Sequence, residues 1–299
     1  MKKVISIMIC VILSVALLAS CAPTVIGGAD GPTDIVIDDD MMEDLDVPAA
    51  EPTGPVDEAM AVKPEGTVDT LSKIKKAGKL VMMTNASFAP YEYLGSDNKP
   101  AGVDIDMAQA IADAIGVKLE VIDMDFDALI PSLIAGKGDI VGAGLTITPE
   151  RQESVDFSMP YADATQLIIV KADNTAIKSA DDLSGKTIGV QLGTTGDIYV
   201  SDVEGATVKQ YKTGLEAAMD LKNGKLDAVV LDQLPAQNIV TVNKDLMLIN
   251  TPFTEEQYAM AVKKGDVAFI EVINGVIEKL AADGTVDKWT EEHATKAAA

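Results

Sequence analysis

The sequence is short of the residues that carry most covalent and metal chemistry. It has two cysteines, Cys10 and Cys21, and one histidine, His293, six residues from the end. Residues 22–299 therefore contain no thiol, which excludes a disulfide, a cysteine nucleophile and a cysteine-based metal site there. A lone histidine also argues against a Ser-His-Asp triad and a histidine-rich metal site. We expect no catalytic residue, no cofactor and no metal.

Basic residues are scarce as well, with 24 Lys and Arg against 47 Asp and Glu and a formal net charge of -23. This excess of negative charge repels a phosphate backbone, so nucleic-acid binding is not expected. Arg151 is the only arginine in the chain. A guanidinium makes forked contacts with a carboxylate or phosphate that an ammonium makes poorly. Arg151 is thus a candidate anion ligand, and the alternative is an arginine on a surface helix without a role.

The first 66 residues have the pattern of an exported, anchored protein. Lys2 and Lys3 precede an apolar run over residues 4–18, which is shorter than the roughly 20 residues of a membrane span. The sequence LASC that ends at Cys21 resembles a bacterial lipobox. This predicts a signal peptide over residues 1–20 and lipidation of the Cys21 sulfur, for instance with palmitate. The alternative is an ordinary secretory peptide with an incidental cysteine.

A separate composition follows the cysteine. Residues 22–66 hold twelve acidic residues against one lysine and are rich in proline and glycine, without helical or strand periodicity. Such a segment cannot bury enough apolar surface to fold. We predict that residues 21–66 form an acidic, flexible tether between the lipid on Cys21 and a folded part that begins near residue 67.

Strands and helices alternate in the folded part up to about residue 232. Apolar spacing and glycine stops predict helices over residues 68–77 and 107–115, and Asp127 can start a helix that runs to residue 135. Buried strands are predicted over residues 80–83, 118–122 and 139–142. This alternation is typical of an α/β fold with mainly parallel sheets and crossover connections.

A weak internal repeat divides this α/β region in two. Residues 135–144 and 223–232 share a helix end, a Gly-Lys-x-Asp turn and a strand. Residues 80–88 and 188–195 form a second matching pair. Two equivalent units indicate two similar lobes. Because open α/β sheets bind ligands beyond the carboxyl ends of their strands, the loops that follow these strands are expected to line one cleft.

The clearest candidate site lies in residues 142–151. A buried strand ends there, Thr148 can cap the next helix and Pro149 suits its first position. Such a helix start favours an anion, next to Arg151. In the repeat, Asp232 is equivalent to Gly144, so a carboxylate in the other lobe would face this anion site. A zwitterion needs that pair of charges, although Asp232 could instead be a simple cap or turn residue.

Several ordered motifs over residues 67–293 resemble the solute-binding proteins of polar amino-acid ABC transporters, extracellular family 3, in lipoprotein form. The motifs are TNASFAPYEY at 84–93, AGVDIDM at 101–107, FDALIPSL at 126–133, LTITPER at 145–151, VDFSMPY at 155–161, DLSGK at 182–186 and VQLGTT at 190–195. The resemblance implies a two-lobed periplasmic-binding-protein fold of type II, with two mainly parallel sheets joined by hinges near 161–165 and 254–258. Lobe 1 would comprise residues 67–161 and 258–293, and lobe 2 residues 166–254.

The resemblance also implies three groups of residues around an L-amino acid. The ligand α-carboxylate would be bound by Arg151, by the Thr146 N–H and hydroxyl, and by Thr195 from the other lobe. Thr194 is a further ligand-binding residue. The α-ammonium would be bound by Asp232 and by the carbonyl of Ala143 or Gly144. The side chain would lie between Phe88 and Phe126, with Asn85 and Gln191 at its end.

The implied function is extracytoplasmic binding of a polar or basic L-amino acid by a monomer, anchored to the membrane through Cys21, and delivery of that amino acid to a permease. Many relatives carry an acid at the position of Asn85. Asparagine both donates and accepts, which leaves neutral polar and basic ligands open. Two alternatives remain. An enzyme would use Asp232 as general acid or base, although a substrate cation would lower the pKa of that carboxyl. A sensor domain would use the same pocket.

Overall fold

The structure, a computed structural model, describes residues 68–297. The signal peptide predicted at residues 1–20, the lipidation site Cys21 and the tether predicted at 21–66 lie outside the described residues, and these stay predictions. Over residues 68–297, no helix combines the length and the apolar composition needed to cross a bilayer.

Helices alternate with strands along the described chain. The α-helices are α1 (Thr70–Ala77), α2 (Val103–Ile115), α3 (Leu129–Ile134), α4 (Pro149–Ser154), α5 (Thr195–Ser201), α6 (Gly214–Lys222), α7 (Gln233–Val242), α8 (Val267–Ala282) and α9 (Thr285–Ala297). The strands are β1 (Lys79–Thr84), β2 (Ser87–Phe88), β3 (Glu92–Leu94), β4 (Pro100–Ala101), β5 (Lys118–Asp123), β6 (Ile140–Val141), β7 (Val155–Phe157), β8 (Ala162–Ala164), β9 (Gln166–Lys171), β10 (Thr187–Gln191), β11 (Thr207–Tyr211), β12 (Ala228–Asp232), β13 (Leu246–Ile249), β14 (Glu256–Tyr258) and β15 (Ala261–Lys263).

Most predicted elements are confirmed, with shifted ends. Helix α2 ends at Gly116 in the left-handed conformation, as its glycine stop predicted, but begins four residues earlier than expected. The helix predicted from Asp127 is different, because a 3-10 turn covers Phe126–Ala128 before α3 begins. Pro131 in the first turn of α3 has no N–H to donate to an earlier carbonyl, which favours the tighter turn there.

Two five-stranded sheets share one topology. Their strand orders are β5-β1-β6-β15-β7 and β11-β10-β12-β9-β13. In each sheet the first three strands pair in parallel, and the fourth strand runs antiparallel to both of its neighbours. Four strands of each sheet therefore point the same way, which agrees with the predicted mainly parallel α/β architecture. The antiparallel strands β15 and β9 go beyond the predicted pattern, and they make both sheets mixed.

The chain passes between the two sheets through a pair of short strands. Strands β8 and β14 pair antiparallel as a separate two-stranded sheet, with Glu256 opposite Ala164 and Tyr258 opposite Ala162. We call the part built on the first large sheet lobe 1, the part built on the second lobe 2, and β8 with β14 the hinge. The hinges predicted near 161–165 and 254–258 contain these strands. The predicted lobe bounds, 67–161 with 258–293 and 166–254, enclose the strands of the two sheets.

Each sheet is buried between helices, and the fold directs its carboxyl edge to one cleft. In lobe 2 the strands are apolar on both faces, as in the adjacent residues Ile168 and Ile169, which are fully buried and match the pattern of sheets covered on both sides. Strands β1, β6, β10 and β12 end where the predicted site residues follow. This common edge places the loops of both lobes around the same space.

Candidate functional site

Side chains from both lobes surround a small cavity at the carboxyl edges of the sheets. Its lining consists of Phe88, Phe126, Gly144, Thr146, Arg151, Thr194, Thr195 and Asp232. All of these residues belong to the predicted set. The space open to the centre of a water-sized sphere is about 10 Å³, which suffices for about one water molecule. An amino acid can therefore occupy this site only after the lobes move apart.

Arg151 is positioned by the local structure that the sequence predicted. Pro149 is the first residue of α4, and the Thr148 hydroxyl accepts a hydrogen bond from the Arg151 N–H at 3.2 Å. The guanidinium donates from Nη1 to the Thr146 carbonyl at 2.6 Å and from Nη2 to the Gly193 carbonyl in lobe 2 at 3.1 Å. Its Cζ lies 5.6 Å from the centre of the Phe126 ring. Arg151 thus joins the two lobes across the cavity.

The start of α4 itself is not part of this cavity, which corrects one expectation. Helix α4 has only six residues. Thr148, Pro149 and Glu150 line a different, outer pocket of about 460 Å³, beside Glu256 and Tyr199. An anion in the enclosed cavity would therefore meet the Arg151 side chain and not the first amides of the helix.

One backbone amide does point toward the Arg151 side of the cavity. Thr146 forms a bridge with Tyr258 of the hinge, flanked by hydrogen bonds from the Ile147 N–H to the Gln257 carbonyl and from the Ala259 N–H to the Leu145 carbonyl. In such a pair the bridging residue turns its own N–H and C=O away from the partner strand. The Thr146 carbonyl accordingly accepts from Arg151, and its N–H is turned to the same side.

Asp232, at the end of β12, is the acidic group of the cavity. Its side chain is 4% exposed, and Oδ1 accepts a hydrogen bond from the Tyr258 hydroxyl at 2.5 Å. Burial, and after it the charge of Glu256, raises the pKa of Asp232 to about 7, against the opposing effect of hydrogen bonds from Tyr258 and Gln166. The sequence suggested a pKa lowered by a substrate cation. Without a ligand cation, burial and then the charge of Glu256 determine the direction of the shift, so the pKa is raised.

That second carboxylate, Glu256, was missed by sequence reasoning. It is 6% exposed, and its Oε2 accepts hydrogen bonds from the Thr146 hydroxyl at 2.8 Å and the Thr195 hydroxyl at 2.7 Å. These are hydroxyls that the resemblance assigned to the ligand carboxylate. The available signal was alternation along β14, in which Glu256 and Tyr258 are buried and Gln257 is exposed. Nothing in its composition separates Glu256 from the exposed Glu255.

Three predicted residues lie near the cavity without lining it. The Gln191 Nε2 donates across the cleft to the Asn85 Oδ1 at 3.0 Å, and the Asn85 Nδ2 donates to the Met124 carbonyl at 2.8 Å. The two amide side chains therefore bind one another in this conformation, and the Gln191 Oε1 is buried without a hydrogen-bond partner among the described residues. Ala143 is buried, at 1% exposure, directly before Gly144.

Gly144 is held in place by a buried acidic pair. Its φ is +50°, and a Cβ there would lie 2.7 Å from Cε1 of Phe88, so a larger residue would be strained and would displace the ring. The Gly144 N–H donates to the Asp104 Oδ2 at 2.9 Å, and the Tyr161 hydroxyl donates to the same oxygen at 2.8 Å. Burial raises the pKa of Asp104 to about 6 and, together with the Asp104 charge, raises the pKa of Glu92 well above its usual range.

The arrangement has the features of a binding site for a small zwitterion. The Arg151 guanidinium and the Asp232 carboxylate line the same cavity. A second carboxylate, Glu256, accepts hydrogen bonds from the hydroxyls of two threonines in the cavity wall. Among residues 68–297, no group of His, Cys, Asp and Glu is arranged to hold a metal ion. The cavity therefore offers one cationic and one anionic side chain to a small ligand.

Comparisons with known proteins identify the family of the chain. The model of bacterial extracellular solute-binding proteins, family 3, matches residues 80–296. The chain is 30% identical to the L-cystine-binding protein TcyJ of Escherichia coli over 244 residues, covering 79% of this chain and 92% of that protein. The arginine-bound form of a truncated ArgBP from T. maritima has a TM-score of 0.69 and 43% identity, and covers 70% of this chain and 99% of that one.

A second similar structure is the amino-acid ABC transporter substrate-binding protein AbpA of Streptococcus pneumoniae bound to L-arginine. It has a TM-score of 0.74 and 34% identity, and covers 76% of this chain and 99% of that one. The family match covers most of the chain, and the solved structures match its two-lobed type II periplasmic-binding-protein fold. The chain therefore belongs to the bacterial extracellular solute-binding proteins, family 3.

Proposed function

We propose that this chain binds a cationic L-amino acid between its two lobes and delivers it to the permease of an ABC transporter. The observation that carries the proposal is the pair of opposite charges, Arg151 from lobe 1 and Asp232 from lobe 2, on one cavity. An α-amino acid presents a carboxylate and an ammonium at a fixed short separation. A ligand that satisfies both groups would hold the two lobes together, which couples binding to closure.

The balance of buried charge favours a cationic ligand. Arg151 contributes one positive charge, whereas Asp232 and Glu256 contribute two negative charges when ionised. A zwitterion adds no net charge and leaves this excess, while a third, cationic group on the ligand offsets it. Because buried charge without a partner is costly, the cationic ligand gains more on binding. Arginine is the ligand named for the similar ArgBP and AbpA structures.

Individual roles follow from the contacts. The ligand carboxylate would bind the Arg151 guanidinium and the Thr146 N–H, which face the same side. The ammonium would bind Asp232 and the carbonyl of Ala143 or Gly144, and Thr194 and Thr195 would close that side from lobe 2. The side chain would extend between the rings of Phe88 and Phe126 toward Asn85 and Gln191. The Gln191 Oε1, which is buried without a hydrogen-bond partner among the described residues, would offer an acceptor there.

Export and anchoring complete the proposal. The signal peptide over residues 1–20 would direct the chain out of the cytoplasm, and lipid on Cys21 would hold the mature protein at the outer face of the cell membrane. Labelled palmitate should be incorporated into the wild-type protein during growth and not into a Cys21→Ala variant. Equal labelling of both would contradict a lipid anchor on this cysteine.

Thermal denaturation of the purified protein in the presence of each of the twenty amino acids tests the binding function. A ligand at 100 times its dissociation constant stabilises the folded state by about 2.7 kcal/mol. We expect the largest rise in melting temperature with arginine or lysine, a smaller rise with neutral polar amino acids, and none with agmatine, which lacks the α-carboxylate. The absence of a rise with every amino acid would refute the proposed function.

The enzymatic alternative, a dehydratase or lyase acting through Asp232, is not favoured. The chain belongs to a family of solute-binding proteins, and the cavity offers Asp232 a ligand ammonium as partner. A sensor role would use the same pocket and differ only in the membrane partner. Recovery of chemically unchanged ligand after prolonged incubation with the protein would support binding over catalysis.

A further inference from the structure

The Glu256 carboxylate lies where the hinge and both lobes meet. It belongs to β14 of the hinge, and a single oxygen, Oε2, accepts from the Thr146 hydroxyl of lobe 1 and from the Thr195 hydroxyl of lobe 2. Both threonines also line the enclosed cavity with Arg151 and Asp232. Glu256 therefore contacts the cavity indirectly, through two hydroxyl groups that form part of its wall.

These two contacts fix the direction in which the hydroxyls can act. A hydroxyl has one proton to donate and two lone pairs that accept. Because each threonine donates its only proton to Glu256, neither can donate to a ligand carboxylate at the same time. Thr195 also accepts a hydrogen bond from the Gln166 Nε2 at 3.2 Å. The remaining lone pairs make this wall an acceptor surface, next to the Asp232 carboxylate.

The second oxygen of Glu256 adds an independent observation. Oε1 is buried and has no hydrogen-bond partner among residues 68–297. A buried charged oxygen without a donor is unfavourable, and a charge-assisted hydrogen bond to it is correspondingly strong. Glu256 and the two hydroxyls bound to it thus leave only acceptors on this side of the cavity, which favours a group with several N–H bonds, such as an ammonium.

We propose that Glu256 is the positioning residue of the ammonium site: it converts the Thr146 and Thr195 hydroxyls into acceptors and places a second negative charge beside Asp232. The inference rests on the proposed function, since it assigns an orientation to the bound amino acid. The ammonium is drawn to the wall formed by Asp232 and the two threonines, and the carboxylate is left to Arg151 and the Thr146 N–H. This differs from the resemblance, which implied that the Thr146 hydroxyl and Thr195 bind the carboxylate.

A Glu256→Gln variant tests the role with two ligands that differ only in the ammonium. L-Arginine and 5-guanidinopentanoate share the guanidinium and the carboxylate, and the second lacks the α-ammonium. We expect the variant to lose roughly 10- to 100-fold in affinity for arginine. Its affinity for the analogue, measured by titration or by displacement of arginine, should stay within about threefold of the wild-type value. Glu255→Gln, the same change at the exposed neighbour, should alter neither affinity.

An equal loss with both ligands would overturn the inference, because it would show a merely structural role for Glu256. A Thr195→Val variant, which keeps the shape and removes the hydroxyl, provides a second test that does not require the analogue to bind. If Glu256 acts through this hydroxyl, the effect of Glu256→Gln on arginine binding should shrink in the Thr195→Val background. If Glu256→Gln weakens arginine binding as much in the Thr195→Val background as in the wild type, the inference is also overturned.

Different results would refute the proposed function and this inference. If the wild-type protein binds no α-amino acid, the proposed function fails and this inference fails with it. If the wild type binds arginine and only the Glu256 comparisons go against expectation, the function stands and the orienting role alone is refuted. Melting temperatures of all variants without ligand show whether each one folds.

Discussion

The cleft has one half around Arg151 and one half around Asp232, and the two halves hold their charges in different environments. The Arg151 half is partly exposed, and its guanidinium already donates to carbonyls of both lobes and lies against the Phe126 ring. The Asp232 half is deeply buried and places Glu256 near enough to raise the pKa of Asp232. The anion-binding half is thus satisfied within the protein, whereas the cation-binding half holds negative charge that a proton or a ligand must offset.

The largest expected effect comes from breaking the anion-binding half. Arg151→Ala removes two charge-assisted donors at once, each worth roughly 1.5 to 3 kcal/mol, so amino-acid affinity should fall by about 100-fold or more. Arg151→Lys keeps the charge without the fork and should recover only a small part of the loss. Titration calorimetry measures both. An affinity unchanged in Arg151→Ala would contradict the assignment of the carboxylate site.

Asp232→Asn breaks the other half and should cost less. The neutral amide still accepts from the Tyr258 hydroxyl but offers no charge to the ligand ammonium, and Glu256 remains. We expect about a 10- to 50-fold loss for arginine. Ligands that lack the ammonium, such as 5-guanidinopentanoate, should bind this variant with nearly the wild-type affinity. A uniform loss across both kinds of ligand would show that Asp232 supports the fold of the cleft and not the ammonium.

The pH dependence of ligand affinity separates the two halves, because Asp232 titrates near neutrality and Arg151 does not. The pKa of Asp232 is raised from 3.8 to about 7, so without ligand this carboxyl is largely protonated below pH 7. An ammonium favours the ionised form. Binding should therefore release a proton, and affinity should weaken by at most about tenfold per pH unit as pH falls below 7. Calorimetry in buffers of different ionisation enthalpy measures the released proton, which Asp232→Asn should abolish.

The same raised pKa has the opposite effect on folding stability. A carboxyl with a folded-state pKa above its unfolded value stabilises the fold when protonated, and this contribution is lost as pH rises from about 4 through 7. The protein without ligand should therefore lose stability over this range, and the ligand should stabilise it more strongly at pH 8 than at pH 5. A ligand effect that is larger at pH 5 would contradict the assignment.

Gly144→Ala should have the smallest effect on ligand affinity. It changes no charge and acts only through the shape of the cavity. The new methyl group would meet the Phe88 ring, and an alanine at φ +50° is strained by roughly 1 to 2 kcal/mol. We expect a loss of stability of that size and a several-fold loss of affinity. Gly116→Ala has similar backbone strain at φ +81° with nothing within 4 Å of the added atom. Gly116→Ala should lose stability without losing affinity. If both variants lose affinity, backbone strain and not the contact with Phe88 is the cause.

The sequence predicted the parts of this molecule that depend on local chemistry. Thr148 and Pro149 start a helix as expected, and Gly116 ends one, because caps and stops act through the nearest few residues. The direction of β15 could not be predicted, since it depends on where the hinge returns the chain to lobe 1. Glu256 was missed for a related reason. Its role depends on hydroxyls 110 and 61 residues away, and its own short strand resembles many surface segments.

The closed cavity has a consequence for the strength of binding. A space of about 10 Å³ cannot hold an amino acid, so only molecules with separated lobes are competent to bind. Hydrogen bonds across the cleft, from Gln191 to Asn85 and from Thr195 to Glu256, set how many molecules are competent. Apparent affinity is reduced in proportion to that fraction. Loss of the Gln191 contact thus raises the competent fraction, and this gain in apparent affinity opposes the loss of any contact that Gln191 itself makes with the ligand.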